Sequence, residues 1–245
     1  MTKRINFVPS MLLCVAFMLA STAGASSLFK HAQSRAFSQS AATAPGKTLY
    51  IDTYSADLTI VEGSDNVGKV EGIVEVSDDD KEVVQFFVDE TRLVLEPHSD
   101  GIRLRLTSPM DELRKRGKPP KKGIYRRFYR GNKFVFKLSY AARLSIQIPA
   151  RHSLQIENAY GNIQIGGING DLNITNRSGK VRLDDCGGKL KLRNSYDLVK
   201  IPGFDGPVNI SNPSGKVDLE VIKGEARIEN SYEPVIFDTI GGKLT

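Results

Sequence analysis

The chain has 245 residues, of which 40% are hydrophobic, with 22 glycines and no tryptophan. The formal charge of +6 does not describe a basic surface: ten Lys or Arg and no acids fall within residues 113–133, and without those ten the balance would be −4. Of two cysteines only Cys186 lies outside the N-terminal segment, which excludes an internal disulfide framework. The composition favours an all-β protein of one domain or two small ones.

Residues 1–25 read as a secretory signal peptide. Thr2-Lys3-Arg4 is the positive start, residues 11–20 the apolar stretch, and Ala23-Gly24-Ala25 the small-x-small cleavage site. The apolar stretch is short of the roughly 20 residues that a membrane span needs, which leaves an uncleaved anchor as the alternative. Leu13 before Cys14 argues against a lipoprotein cysteine. Export to the periplasm, cell surface or extracellular space is therefore expected. Residues 26–46, rich in Ser, Ala and Gln, read as a linker or a frayed strand around Phe37.

An N-terminal β region is expected over residues 47–150. Residues 70–76, 83–88, 93–95, 102–106, 134–138 and 144–148 have strand character, with a weak helical alternative at 80–88. These predict an antiparallel, β-sandwich-like cap, because the open end of a strand stack leaves N–H and C=O groups unpaired. The basic insert at residues 113–133 mixes its cations with Tyr125, Phe128 and Tyr129. It reads as a solvated hairpin loop or as an anion site contacting through Arg126, Arg127 and Arg130. Behind a signal peptide the anions would be lipid headgroups, lipopolysaccharide or acidic polysaccharide, not nucleic acid.

Residues 151–245 are organised on an 18-residue period. Leu154, Leu172, Leu190, Val208, Ala226 and Leu244 form one column, and Ile156, Ile174, Leu192, Ile210 and Ile228 the column two residues on. Asn158, Asn176, Asn194, Asn212 and Asn230 follow, then Ile163, Val181, Val199, Val217 and Val235. Apolar residues two apart are strand spacing, and the polar residues between them are turn formers. Each row predicts two short strands and two corners, one coil of a β-solenoid with coils about 4.8 Å apart. Leu49, Ile51, Thr53, Ser55, Leu58 and Ile60 repeat the same offsets and predict a divergent first coil in the same stack. Leu244 opens a further row, so a longer native chain, or end-to-end or edge contact with another chain at this uncapped coil, is expected.

Two residues after each Asn the rows alternate. Tyr160, Tyr196 and Tyr232 interleave with Ser178 and Ser214, each followed by Gly-Lys (Lys180 and Lys216), so the full unit is 36 residues. Stacked coils would place the tyrosines about 9.6 Å apart along one edge. They either pack the corners or stack on sugar rings or a protein partner. Tyr160, Tyr196, Tyr232, Lys180 and Lys216 are the candidate ligand contacts. The Asn column reads as structural, bonding to backbone at the corners.

Nothing in the sequence assembles catalysis. His31, His98 and His152 sit at no triad or ligand spacing, and Cys186 occupies an otherwise apolar column. Asp184-Asp185 is the acidic pair on which an enzyme reading would rest. No catalytic, metal or cofactor residue is assigned.

The strand pairs Leu154-Gln-Ile156 and Ile163-Gln-Ile165, joined by Asn158-Ala-Tyr-Gly161 and closed by Gly167-Ile168-Asn169-Gly170, resemble the bacterial putative-adhesin family of exported β-strand-repeat proteins. Leu49-Tyr-Ile-Asp-Thr-Tyr-Ser-Ala-Asp-Leu-Thr-Ile60 and Leu144-Ser-Ile-Gln-Ile-Pro149 resemble its opening motif and the strand leading into its repeats. The resemblance covers residues 47–245, leaves out the basic insert, and carries no catalytic residue. It implies a non-enzymatic scaffold that binds envelope polysaccharide, anionic lipid or another envelope protein. A carbohydrate-active enzyme on a β-helix face and a passive structural module are the alternatives.

Overall fold

The computed structural model describes residues 29–64, 66–115, 123–130, 133–134 and 137–245, with backbone alone at 114–115, 129–130 and 133–134. The expected targeting segment and much of the basic insert lie outside the described residues.

The N-terminal part runs β1 (His31–Ala42), β2 (Thr48–Asp52), β3 (Asp57–Glu62), β4 (Val67–Asp78), α1 (Lys81–Glu90), β5 (Arg92–His98) and β6 (Gly101–Thr107). After α2 (Pro109–Lys115) and a 3-10 turn (Ile124–Phe128) come β7 (Tyr129–Arg130), β8 (Lys133–Phe134) and β9 (Ser139–Ile148). The repeat region supplies β10 (Ser153–Tyr160), β11 (Ile163–Gly166), β12 (Leu172–Ser178), β13 (Val181–Asp184), β14 (Cys186–Gly187) and β15 (Leu190–Arg193). It ends with β16 (Val199–Asp205), β17 (Val208–Ser211), β18 (Val217–Ile222), β19 (Ala226–Glu229) and β20 (Val235–Ile240). The fold is therefore mainly β.

Two mixed sheets hold all of these strands except β7 and β8, which form a separate two-stranded ribbon, and neither mixed sheet closes on itself. One runs β1-β4-β9-β3-β11-β13-β16-β18-β20, with β14 beside β16; the other runs β19-β17-β15-β12-β10-β2-β6-β5. Within the repeat every pair is parallel and in the 18-residue register: Leu154 faces Leu172, then Leu190, Val208 and Ala226. The detached early row joins both sheets at its expected offsets, Leu49 against Leu154 and Leu58 against Ile163. Alternation explains the core. Ile156, Ile174, Leu192 and Ile210 point inward and are at most 1% exposed, while Gln155, Asn173, Lys191 and Asn209 between the two apolar columns face water. Each fully buried Leu or Ile contributes about 1.5–3 kcal/mol.

The N-terminal region differs from a separate antiparallel sandwich. Its strands extend both repeat sheets: β9 pairs parallel with β3, and β6 parallel with β2. Antiparallel pairing is confined to β1–β4, β4–β9, β5–β6 and the short β7–β8 ribbon. Register with the buried apolar columns of the repeat outweighs local hairpin pairing.

Residues 31–42, expected as linker or frayed strand, form the full length of β1 against β4. The reason lies in its polar side chains. Arg35 Nη1 donates to the carbonyls of Val88 and Thr91 at the end of α1 (3.1 and 3.2 Å). Gln39 donates to the Leu93 carbonyl (2.8 Å) and accepts from Leu95 N–H (2.6 Å). Residues 83–88, expected mainly as a strand, lie in α1. Asp80 caps the helix by accepting from Glu82 N–H, and Val83, Val84, Phe87 and Val88 form its buried stripe.

Candidate functional site

The repeat corners are built from the asparagine column, in which Asn158, Asn176, Asn194 and Asn212 are buried and Asn230 is half-buried. Each donates its side-chain amide to a carbonyl of the preceding row: Asn176 to Gly161 (3.1 Å), Asn194 to Gly179 (3.2 Å), Asn212 to Asp197 (2.9 Å) and Asn230 to Gly215 (2.7 Å). Asn158 does the same to Ala56 of the early row and accepts from Thr53 Oγ1. Close approach between corners demands glycine at Gly179, where φ is +131° and a Cβ would meet the Gly161 carbonyl oxygen at 2.0 Å. Backbone bonds tie the corners together, Ser214 N–H to Ser195 and Tyr232 N–H to Pro213.

The residue two past each asparagine is thereby turned outward. Tyr160 is 38% exposed, Tyr196 66% and Tyr232 82%. Tyr160 packs edge-on against Tyr54 of the early row, with ring centroids 5.3 Å apart at 83°. Tyr196 and Tyr232 have no ring contact among the described residues, so corner packing does not account for them. Between the rings Ser178 and Ser214 are half-buried. Lys180 is exposed and forms no ion pair among the described residues, whereas Lys216 reaches Asp218 at 3.4 Å.

The basic segment is placed differently. Arg127 pairs with both Asp80 and Glu82 at the start of α1. Burial pushes the Asp80 carboxyl up, but the bonds from the Arg127 guanidinium and the Glu82 N–H outweigh it and hold it below its ordinary value. Tyr125 stands edge-on to Phe86 at 5.4 Å, and Phe128 is buried against Phe87 at 5.7 Å. Arg126 is not free either. Residues 123–128 are thus docked on α1 through aromatic packing, unlike the solvated loop that one reading expected. Arg130 lies in β7, and its side chain is outside the described residues. Arg127 is paired at the start of α1 and not at the tyrosine corners.

The remaining chemistry is occupied. Arg182 holds Asp184 through both carboxylate oxygens (2.7 and 2.6 Å). Cys186 is buried and its thiol is pushed up by that burial. His152 is fully buried and bonds Thr43 Oγ1 at 2.7 Å. His98 lies against Tyr50 (4.2 Å between ring centroids) and accepts from Arg103 (2.9 Å). Among the described residues no group of three or more His, Cys, Asp or Glu converges as a metal site.

Sequence reasoning placed the tyrosines at corners and missed Tyr54, which opens the aromatic edge. Its signal was present: Tyr54 precedes Ser55, the early-row counterpart that bridges to Tyr160.

No protein-family model and no curated protein matches the chain. Among solved structures, it is similar to a "putative cell adhesion protein" from Clostridium sporogenes at 12% identity and a TM-score of 0.46, over 86% of this chain and 100% of that one. A "putative lipid binding protein" from Parabacteroides distasonis aligns at 12% identity and a TM-score of 0.24, over 85% of this chain and 95% of that one. A "putative adhesin" from the same organism aligns at 10% identity and a TM-score of 0.23, over 86% and 96%. All three overlays are loose.

Proposed function

We propose that the chain is a non-enzymatic, exported, adhesin-like scaffold whose repeat is a β-solenoid of 18-residue coils and whose corner edge binds a partner at the cell envelope or surface. The observation that carries this reading is the pair Tyr196 and Tyr232, 66% and 82% exposed, on corners fixed by the side-chain amides of Asn194 and Asn230. A tyrosine offers a broad apolar face with a polar tip and few rotatable bonds, which suits it to recognition surfaces. Leaving such faces in water forgoes roughly 25 cal/mol for each Å² that a partner would cover. The solenoid reading is supported by the constant register in both sheets and by one continuous core shared with the early row. The signal-like N-terminus supports export, to the periplasm or the cell surface.

The basic segment has a lesser part in this reading. Of its described cations, Arg127 is offset by the Asp80 and Glu82 carboxylates.

Co-sedimentation of the purified chain with fractionated bacterial envelopes tests the proposal. Saturable binding is expected, weakened by Tyr196→Ala with Tyr232→Ala and unchanged by Arg127→Gln. Failure to sediment with every envelope fraction would overturn it.

A further inference from the structure

The tyrosine edge has a period as well as an exposure. Successive tyrosines belong to alternate coils, so the strand spacing puts them about 9.6 Å apart along the stack. The backbone that sets this spacing is rigid. Arg193, Ser211 and Glu229 are register partners three residues before Tyr196, Ser214 and Tyr232, and the Asn194, Asn212 and Asn230 amides lock the turns that follow.

Building on the reading of this edge as a binding surface, we propose that its ligand is an extended, β-1,4-linked glycan lying along the stack, with alternate sugar rings seated on Tyr196 and Tyr232. In such a glycan every second ring presents the same face, and the disaccharide repeat is close to two strand spacings. The apolar face of a pyranose ring covers a tyrosine ring, while its hydroxyls stay in water or reach neighbouring polar groups. Ser214 and Gly215 occupy the corner between Tyr196 and Tyr232, beside the exposed Pro213, so the side chain in register between the two rings is a small, half-buried serine. Both partners are ordered before they meet, which lowers the entropic cost of binding.

Charge selects the glycan over an anionic surface. The two tyrosine rows carry acids next to the rings, Asp197 and Glu233, and the intervening Lys216 is paired with Asp218. An anionic headgroup layer would meet net negative charge from these groups, whereas an uncharged glycan would not be repelled.

Isothermal titration of the full chain with cello- and chito-oligosaccharides, from disaccharide to hexasaccharide, tests the proposal, with α-1,4-linked gluco-oligosaccharides as the comparison. Affinity is expected to rise steeply once the oligomer spans two tyrosines, because the second contact is then intramolecular. Loss of either ring, by Tyr196→Ala or Tyr232→Ala, is expected to cost about tenfold, while Tyr232→Phe keeps the affinity. Unchanged melting temperatures identify these losses as contact losses. Equal affinity for α-linked oligomers, or no dependence on length, would overturn the proposal. Envelope binding that needs the tyrosines, without binding to any β-linked oligomer, also overturns it and leaves the surface-binding reading with a protein partner. Absence of envelope binding removes both.

Discussion

A corner asparagine of this chain bonds backbone across coils with one buried amide. Asn212, fully buried, donates to the carbonyls of Asp197 and Lys216 (2.9 and 3.3 Å). Asn212→Ala removes the donor and strands both acceptors away from water, so a loss of about 1–3 kcal/mol is expected, read as a lower urea midpoint at unchanged m-value. Tyr232→Ala, at an 82% exposed site, is expected to change stability by less than about 0.5 kcal/mol. His152 contributes a pH dependence. Burial holds its imidazole below the ordinary value of 6.5, so the folded protein keeps it neutral where the unfolded chain would protonate it. The unfolded state therefore binds more protons below pH 6.5. Stability is full above that value and falls as the pH drops through it towards the folded-state value, with a slope of up to about 1.4 kcal/mol per pH unit. Thermal melts from pH 7.5 to 5 check this, and His152→Gln is expected to flatten the slope.

The elements N-terminal to the repeat show what periodicity conveys and what it misses. The row at Leu49 was legible because its apolar residues keep the offsets of the later coils. Strand β1 was not, because its covered face carries Arg35 and Gln39 and is held by side-chain bonds to backbone more than fifty residues away. Helix α1 was ambiguous because the run 83–88 fits a strand by composition, and its cap, Asp80, decides for helix. The docking of residues 123–128 on α1 rests on pairs such as Phe128–Phe87 and Arg127–Asp80, which no local pattern announces. Packing is expected to dominate that docking. Phe128→Ala should cost about 3–5 kcal/mol, whereas Arg127→Ala, breaking half-exposed ion pairs, should cost under about 1 kcal/mol per pair. Thermal denaturation of the two variants distinguishes them. At the candidate site, the sequence located the tyrosine corners, but only the fold shows that Tyr160 is partnered by Tyr54 while Tyr196 and Tyr232 are not.

Across the described residues, each row of the repeat pairs only with its neighbouring rows, so stability is expected to vary along the sheets. Strands β10 and β12 have partners on both sides, and β19 is covered on its outer side by residues 243–245, whereas β20 is a sheet edge, with Ile236 and Phe237 47% and 48% exposed. Amide hydrogen exchange is expected to be slowest in β10 and β12 and fastest in β20. Uniform protection across both sheets would contradict the nearest-neighbour description.

The constant register also bears on how such a chain changes over generations. A duplication of 36 residues adds two coils that present the same backbone partners above and below, so it disturbs no pairing elsewhere. It adds one more tyrosine to the edge at the existing spacing. Under the proposed reading of this edge, binding valency becomes a matter of copy number in the gene, adjustable by recombination between rows without the invention of a new site.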